Sequence, residues 1–353
     1  MERLSDKLRQ YLANARGREV NLKDIRVYLQ IEPGGNDDHN LRTQMATTLV
    51  EDKTVKPSGR NDGVYKVLTP VKAVEWWKDG SNDEPLTFKF PKSHIDDTTF
   101  GIEDLVEIFA GDLILISGQS NYGKTCLALN LLAENINLFS AGNTLMGSEY
   151  TAADGQITPK FKRRMQKMDW VEWVQDGRPL FQLLPVGGDY EDYVEKDQLN
   201  VIDWISLPGD YYLIDRVTKQ IKDRVGMGVV VAVLQKNAKA EYGEGGERTI
   251  RYADIELKID RFNETESILT IGKVKAPKKR GLLGKKWAFG IEDYGANFVE
   301  IREVIKCPKC YGRGVTGNGD NRKRCPSCRG FKYINKESNP LQIKEENETK
   351  DCQ

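Results

Sequence analysis

The 353-residue sequence has no long apolar run, no excess of charge of either sign and only two histidines. No segment approaches the roughly 18 apolar residues of a membrane span. The first 20 residues also lack the uninterrupted apolar stretch of a signal peptide, so we expect a cytoplasmic protein that contacts no membrane. There is no internal repeat with a period of roughly 20 to 50 residues, which excludes a repeat array.

The charges balance over the whole chain but not along it. There are 53 Lys and Arg against 53 Asp and Glu, yet segment 271–335 holds 16 basic against 5 acidic residues. Segment 189–203, by contrast, holds six acids and one lysine. A basic segment of this size is typical of contact with a polyanion, although a solvated surface has the same composition. With 39% hydrophobic and 30% charged residues, the chain is globular rather than disordered.

The length predicts two or three domains of roughly 100 to 200 residues each. Segment 1–70 carries helix and hairpin patterns, and 71–100 is a polar connector. Segment 101–303 alternates strand and helix patterns, which predicts an α/β fold with a parallel sheet and crossover helices. A cysteine-rich module follows at 304–335, and the polar segment 336–353 is expected to be a disordered tail.

Segment 1–70 resembles a winged helix, since three helical patterns precede two short strands at 53–56 and 64–67. Asn21 is placed to cap the second helix. In a winged helix that binds DNA, the third helix and the wing would present Arg42, Lys56 and Arg60 to the duplex. Winged helices also serve as protein-interaction modules, and the sequence leaves both possibilities open.

The strongest motif is the succession GDLILISGQSNYGKT followed by a helical pattern. A buried strand leads into a glycine-rich loop, and backbone N–H groups of that loop and of the helix N-terminus converge on phosphate oxygens. We therefore predict ATP binding, with Lys124 on the β- and γ-phosphates and Thr125 on Mg²⁺. Cys126, next in the run, is expected to be a packing residue at the start of that helix. The predicted nucleotide-binding residues are Gly118, Gln119, Ser120, Asn121, Tyr122, Gly123, Lys124, Thr125 and Cys126.

An ATPase also needs an acid that helps to hold magnesium and a carboxylate that orients water. Two strand-like runs end in an acid, at Asp203 and at Asp215. Asp203 is favoured, because the run through Asp215 also fits an amphipathic helix with Asp215 on its surface. Glu149 ends the short strand TLMGSE about two dozen residues beyond the loop and is the candidate general base. The alternative is that Glu149 only caps the following helix.

The order GDLILISGQSNYGKT, LMGSEYTAA, NVIDWISL, GVVVAVLQKN and YADIELKIDR resembles the ATPase core of the RecA superfamily. The resemblance covers about 200 residues, and it is closest to DnaB-type replicative helicases and to the RecA-like recombinases that phages encode. It implies a bacterial or phage-infected cell and a RecA-like P-loop core. It also implies that Glu149 is the catalytic glutamate, Asp203 the magnesium-associated aspartate and Gln235 the sensor of the γ-phosphate. The alternative is that Gln235 has no sensor role and only ends its strand.

The segment ILTIGKVKAPKKRGLLGKKWAF resembles the late hairpin of the same superfamily, which sends cations to a neighbouring subunit. That resemblance implies that Lys273 and Lys275 complete the neighbour's site, and hence a homo-oligomer, either a hexamer or a filament. The helicases have Lys-x-Arg here, whereas this chain has Lys-Val-Lys, which lacks the bidentate guanidinium. A solvated basic hairpin is the alternative.

Two segments that follow core strands, 208–211 and 236–252, are expected to face single-stranded DNA. The second segment combines cations with glycines, so it can move and still bring charge to phosphates. A plain surface loop has the same composition. The candidate DNA contacts here are Lys236, Lys239, Arg248 and Arg251.

Four of the six cysteines form two CxxC pairs within 22 residues: Cys307, Cys310, Cys325 and Cys328. Two such knuckles can place four thiolates around Zn²⁺, and a reducing compartment favours metal over disulfides. The repeated CxxCxG resembles the knuckles of DnaJ-type chaperones and other zinc ribbons. Basic and aromatic residues around the knuckles suit nucleic acid, although docking of a protein remains open. Cys352 is expected to hold no metal.

These predictions combine into an ATP-dependent DNA motor or recombinase that works with replication or recombination proteins. The alternative is a non-translocating ATP-dependent DNA-binding switch, such as a loader or a regulator.

Overall fold

The computed structural model describes residues 3–59, 62–70, 84–152, 155–237, 240–317 and 321–338. These residues form two compact units, Met1–Gly80 and Ser81–Gln353. Within the described ranges, no helix has both the length and the apolar character needed to cross a membrane. Arg60, Lys239, Cys352, residues 71–83 of the predicted connector and residues 339–353 of the predicted tail lie outside the described residues.

The first unit has the helix and strand order of a winged helix, as the sequence predicts. Its three short strands form an antiparallel sheet in the order β1-β3-β2. The strand β1 was not predicted, and the third helix is divided after Ala46. The elements are α1 Leu4–Asn14, β1 Glu19–Asn21, α2 Leu22–Leu29, α3 Asn36–Ala46, α4 Thr48–Glu51, β2 Val55–Pro57 and β3 Val64–Val67.

A buried carboxylate organises the helices of this unit. Asp38 is only 2% exposed, accepts from the Gly34 N–H at 2.9 Å and forms an ion pair with Arg26 at 2.6 Å. These two contacts hold the pKa of Asp38 at about 2. Arg42, a candidate DNA contact on α3, is 59% exposed but also lies 3.5 Å from Asp38. Lys56 on β2 is exposed.

The second unit is built on a ten-stranded sheet with the order β17-β14-β13-β12-β11-β4-β10-β9-β5-β8. The strands from β8 to β11 in that order pair in parallel, and those from β11 to β17 pair antiparallel. The first elements are β4 Leu113–Gly118, α5 Lys124–Glu134, β5 Asn143–Met146, α6 Pro159–Lys167, β6 Val174–Gln175, β7 Arg178–Pro179, β8 Gln182–Leu184, β9 Leu199–Ile205, α7 Ile214–Arg224 and β10 Val229–Gln235. The remaining strands are β11 Ile255–Arg261, β12 Ser267–Val274, β13 Lys286–Glu292, β14 Asn297–Lys306, β15 Val315–Thr316, β16 Lys323–Arg324 and β17 Tyr333–Asn335. Short 3₁₀ helices lie at Ser148–Tyr150, Tyr190–Tyr193, Tyr211–Leu213, Gly246–Ile250 and Lys336–Ser338.

Both faces of the parallel strands are covered, which explains their continuous apolar sequences. On one face, Ile114 and Val231 belong to the core cluster that contains Leu127 of α5. On the opposite face, Leu115 belongs to the cluster that contains Ile221 of α7. This α/β architecture with a large, mainly parallel sheet is the fold class that the sequence predicts.

Residues 84–100 differ from the predicted polar connector. Phe88, Phe90 and Phe100 are at most 5% exposed and join the main apolar core. The three rings lie among Lys, Asp and Thr residues, so the polar composition conceals them.

The cysteine module is continuous with the central sheet. Strand β14 crosses the predicted boundary at 303 and leads directly into Cys307. Beyond the knuckles, β17 returns and pairs with β14, with Lys306 opposite Tyr333. The module therefore lies at the antiparallel edge of the sheet.

Candidate functional site

The predicted phosphate loop joins the end of β4 to the start of α5, and its glycines lie where side chains would not fit. A Cβ atom on Gly118 would lie 2.5 Å from the Ile259 carbonyl oxygen. Gly123 has a φ of 104°, and a Cβ there would lie 2.3 Å from a methyl carbon of Ile291. The loop thus passes close to β11 and β13 and leaves its backbone and the N-terminus of α5 directed into a cleft.

Lys124 connects this loop to the end of a neighbouring strand. Its ammonium is nearly buried and donates to the Gln119 carbonyl at 2.8 Å and to the Gln235 side-chain oxygen at 3.0 Å. The amide of Gln235 in turn donates to the Ser120 hydroxyl at 2.9 Å. Burial lowers the pKa of Lys124, while the charges of Asp203 and Glu149 oppose that shift. The sequence-predicted loop and the strand-end glutamine are therefore in direct contact.

Asp203 lies in β9, two strands from the loop, and faces the start of α5. Tyr150 donates a hydrogen bond to its Oδ2 atom, and the nearby Thr125 hydroxyl tends to lower the pKa of the carboxyl. Burial raises the pKa of Asp203, and its Oδ1 atom is buried without a hydrogen-bond partner among the described residues. An unsatisfied carboxylate oxygen beside a threonine hydroxyl fits the oxygen-only preference of Mg²⁺. Asp215, the other candidate, lies in the first turn of α7 and pairs with Arg251 at 3.0 Å.

Glu149 lies in the 3₁₀ turn after β5 and is exposed to a cleft of about 1080 Å³. The same cleft is lined by Asn121, Tyr122, Lys124 and Thr125. The turn is held tightly against β9, because a Cβ on Gly147 would lie 2.4 Å from the Asp203 carbonyl oxygen. Glu149 and Lys124 thus line one cleft, and the buried Asp203 lies next to it, bonded to Tyr150 of the cleft lining.

Two further residues of this cleft were missed by the sequence analysis. Tyr150 is buried and donates to Asp203, and burial raises its pKa. Arg164 of α6 lines the cleft, donates to the Tyr294 carbonyl at 3.0 Å and tends to lower the pKa of Asp203. The basic run PKFKRRMQK could have indicated Arg164 as a site residue. However, five cations among nine residues are equally typical of a solvated helix.

Cys126, in the first turn of α5, is 2% exposed, and burial raises the pKa of its thiol to about 12. Its burial fits the packing role expected of it.

Segment 236–252 contacts residues that follow shortly after segment 208–211, the other segment expected to face DNA. Arg248 donates to the Tyr212 carbonyl at 3.4 Å, and Arg251 pairs with Asp215. Both arginines remain exposed. Lys236 differs from the prediction of a DNA contact: it is 4% exposed and pairs with Asp260 at 2.6 Å. Its partner lies in β11, so the sheet draws this lysine inward.

Lys273 and Lys275 make contacts within their own chain. Lys275 pairs with Asp254 at 2.8 Å, and Lys273 donates to the Ile250 carbonyl at 2.5 Å. Asp254 is nearly buried and also pairs with Lys222, so it requires cationic partners. These intrachain contacts differ from the free cations that the hairpin resemblance implies.

The four cysteines of the predicted zinc site come together. Their sulfur atoms all lie within 4.8 Å of one another, and all four side chains are buried. Cys307 and Cys325 lie 3.8 Å apart, and Cys310 and Cys328 lie 3.6 Å apart. A tetrahedral site with Zn–S bonds of about 2.3 Å has sulfur separations of about 3.8 Å. The donor set and its spacing therefore fit Zn²⁺.

No protein-family model and no curated protein matches the sequence. Among solved structures, the KaiC-like protein PH0186 from the hyperthermophilic archaeon Pyrococcus horikoshii OT3 is similar to 62% of this chain and 99% of its own, with 15% identity and a TM-score of 0.43. A second solved structure, an ATPase domain, is similar to 54% of this chain and 86% of its own, with 14% identity and a TM-score of 0.38. Likenesses this distant do not indicate what this chain acts on.

The features of the chain itself define its fold. A mainly parallel sheet carries the phosphate loop at the end of the inner strand β4. Asp203, Glu149 and Gln235, from the ends of neighbouring strands, lie near that loop. The second unit accordingly has the fold of a RecA-like P-loop ATPase core, joined to a four-cysteine module.

Proposed function

We propose that the chain binds and hydrolyses Mg-ATP and couples the hydrolysis to action on DNA, as a motor or a recombinase of the RecA type. The observation that carries this proposal is the contact of Gln235 with Lys124 and Ser120. Gln235 ends β10, and the segment with Arg248 and Arg251 begins immediately after it. A γ-phosphate that draws Lys124 away from Gln235 would release this glutamine and move the segment.

At the cleft, each residue has a role that follows from its position. Lys124 binds the β- and γ-phosphates, and Thr125 and Asp203 hold Mg²⁺. When bound, Mg²⁺ neutralises charge on the transferring phosphoryl group. Glu149 orients the attacking water and accepts its proton, while Lys124 and the loop N–H groups stabilise negative charge that develops on the phosphate oxygens.

DNA contact is assigned to Arg248 and Arg251, whose exposure and position beside the exposed Tyr211 and Tyr212 suit a single strand. Lys239 belongs to the same segment. Arg42, Lys56 and Arg60 are the proposed contacts of the first unit.

Assembly as a hexamer or a filament is also part of the proposal. Lys273 and Lys275 would reach a neighbour's nucleotide only after they leave Ile250 and Asp254, so assembly would compete with the intrachain contacts. Zn²⁺ is assigned to the four cysteines, as a structural ion.

The test is ATP turnover by the full chain with and without single-stranded DNA, together with unwinding of a forked duplex and strand exchange. Stimulation by DNA with unwinding indicates a motor, and stimulation with strand exchange indicates a recombinase. Stimulation with neither indicates the non-translocating switch. Turnover that no form of DNA changes contradicts the proposal.

A further inference from the structure

A groove lined by lysines crosses the antiparallel part of the sheet, away from the nucleotide cleft. It consists of two adjoining depressions of about 380 Å³ and 630 Å³, which share Gly284 and Lys286. The first depression contains Lys236, which directly follows Gln235, and the second contains Tyr333 of the cysteine module. The groove therefore runs from the segment after Gln235 to that module. Its charged residues are Lys236, Lys258, Lys285, Lys286, Lys306, Lys336, Glu241, Asp260 and Glu303.

Strand register places the central lysines on one face of the sheet. Lys258 of β11 is opposite Thr270 of β12, Thr270 is opposite Lys286 of β13, and Lys286 is opposite Val304 of β14. Neighbouring strands lie about 4.8 Å apart, so the lysines on β11, β13 and β14 extend over roughly 15 Å across the sheet. That span matches a few nucleotides of an extended strand.

The groove has more positive charge than its own acids neutralise. Asp260 pairs with Lys236, Glu303 pairs with Lys285 and Lys336, and Lys258 pairs with the buried Glu256 outside the groove. Among the described residues, neither Lys286 nor Lys306 has a carboxylate within ion-pair distance; Lys286 donates only to the Thr270 hydroxyl, at 2.7 Å. Burial lowers the pKa of Lys286; the charge of Asp260 opposes this shift, and the charges of Lys258, Lys236 and Lys306 add to it. A polyanion would relieve the repulsion among these lysines.

Aromatic rings lie at the module end of the groove. The Lys286 ammonium lies 5.6 Å from the ring centre of Tyr333. Phe262 lies 6.5 Å from Tyr333, and Phe331, which is 46% exposed, stacks on Phe262 at 6.0 Å. Exposed rings beside lysines are the combination that binds unpaired bases and their phosphates together. In addition, the described part of 304–335 contains eight basic residues and no acid.

We propose that this lysine groove binds single-stranded nucleic acid and carries it from the segment after Gln235 to the four-cysteine module. The inference rests on the proposed DNA-directed ATPase function and adds a second binding surface to it. Lys286 and Lys306 contact consecutive phosphates, and Tyr333 and Phe331 stack with bases.

The experiment measures binding of a fluorescent dT20 oligonucleotide to the full chain with Mg²⁺ and a non-hydrolysable ATP analogue, over a series of salt concentrations. Each phosphate contact with a single strand contributes about 0.7 to the slope of log affinity against log salt. Lys286→Gln with Lys306→Gln should therefore weaken binding about tenfold or more and reduce the slope by about 1.4. Lys306→Gln alone, at an exposed position, should give about half of that change in slope.

The matched control is Lys89→Gln with Lys196→Gln, which removes the same charge from two exposed lysines outside the groove. This control should bind dT20 nearly as the native chain does, and all variants should hydrolyse ATP normally without DNA. Native affinity in both groove variants would overturn the inference and leave the proposed function standing. No binding of dT20 by the native chain would contradict both. Loss of self-association rather than of DNA binding would show that the groove is a protein contact, and would also overturn the inference.

Discussion

The hydroxyl of Tyr150 donates a hydrogen bond to the carboxylate of Asp203, although the two residues are 53 positions apart in the chain. The bond engages one oxygen of Asp203, and the other oxygen is buried without a partner among the described residues. Tyr150 is itself fixed, since its ring packs against Phe161 at 4.7 Å. Tyr150 thus orients the acid that we assign to Mg²⁺.

Tyr150→Phe should therefore raise the Mg²⁺ concentration needed for half-maximal ATP hydrolysis, by about tenfold or more, because a hydrogen bond to a charged group contributes about 1.5 to 3 kcal/mol. A magnesium titration of ATP turnover measures the effect. The control is Tyr190→Phe, which removes a hydroxyl that donates to the Trp204 carbonyl at 3.0 Å. Equal magnesium dependence in the two variants would show that Tyr150 does not orient Asp203 for Mg²⁺.

Arg164→Ala should weaken ATP binding, because the cleft loses a cation that lies beside the phosphate loop. The expected rise in KM for ATP is about tenfold, as for loss of one charge-assisted hydrogen bond. Arg163→Ala is the control, since Arg163 lies on the same helix but is exposed and contacts the Tyr294 ring at 5.7 Å. An unchanged KM in Arg164→Ala would show that this arginine serves only to hold Tyr294.

Replacement of Cys307 and Cys310 by Ser should abolish the binding of one zinc ion per chain. Without the ion, β17 should loosen from β14, because the knuckles that position it are too short to fold alone. Elemental analysis measures the metal, and hydrogen exchange measures protection of β17. Cys126→Ser should retain the zinc, since that thiol is buried in α5. A native chain that is purified folded and free of zinc would contradict the assignment.

Asp112→Asn should stabilise the second unit at neutral pH. Burial and the charge of Asp254 raise the pKa of Asp112 to about 6, from 3.8 for an unperturbed aspartate. The native state therefore binds a proton that the unfolded chain has lost, so stability falls as pH rises from about 4 to about 6. The substitution removes the ionisable group, so the free energy of unfolding at pH 7 should rise by about 1 to 2 kcal/mol, after allowance for solvent screening. Thermal melts from pH 4 to 8 should show a higher Tm only above about pH 5.

The sequence predicted the features that depend on local pattern. The phosphate loop follows from its glycines and flanking strand and helix, and the four-cysteine cluster follows from the spacing of its knuckles. Contacts between residues that are far apart in the sequence could not be predicted from local pattern. The burial of Lys236 depends on Asp260 in the adjacent strand β11, and the intrachain pairing of Lys275 depends on Asp254. The phenylalanines at 88, 90 and 100 were overlooked because their neighbours are polar.

The central claim is that nucleotide state reaches the DNA-binding segment through Gln235, and it is tested most directly by Gln235→Ala. ATP turnover should be measured with and without single-stranded DNA for this variant, for Lys124→Ala and for the native chain. The account predicts that Lys124→Ala abolishes turnover, whereas Gln235→Ala retains basal turnover and loses its stimulation by DNA. Full stimulation by DNA in Gln235→Ala would contradict the account.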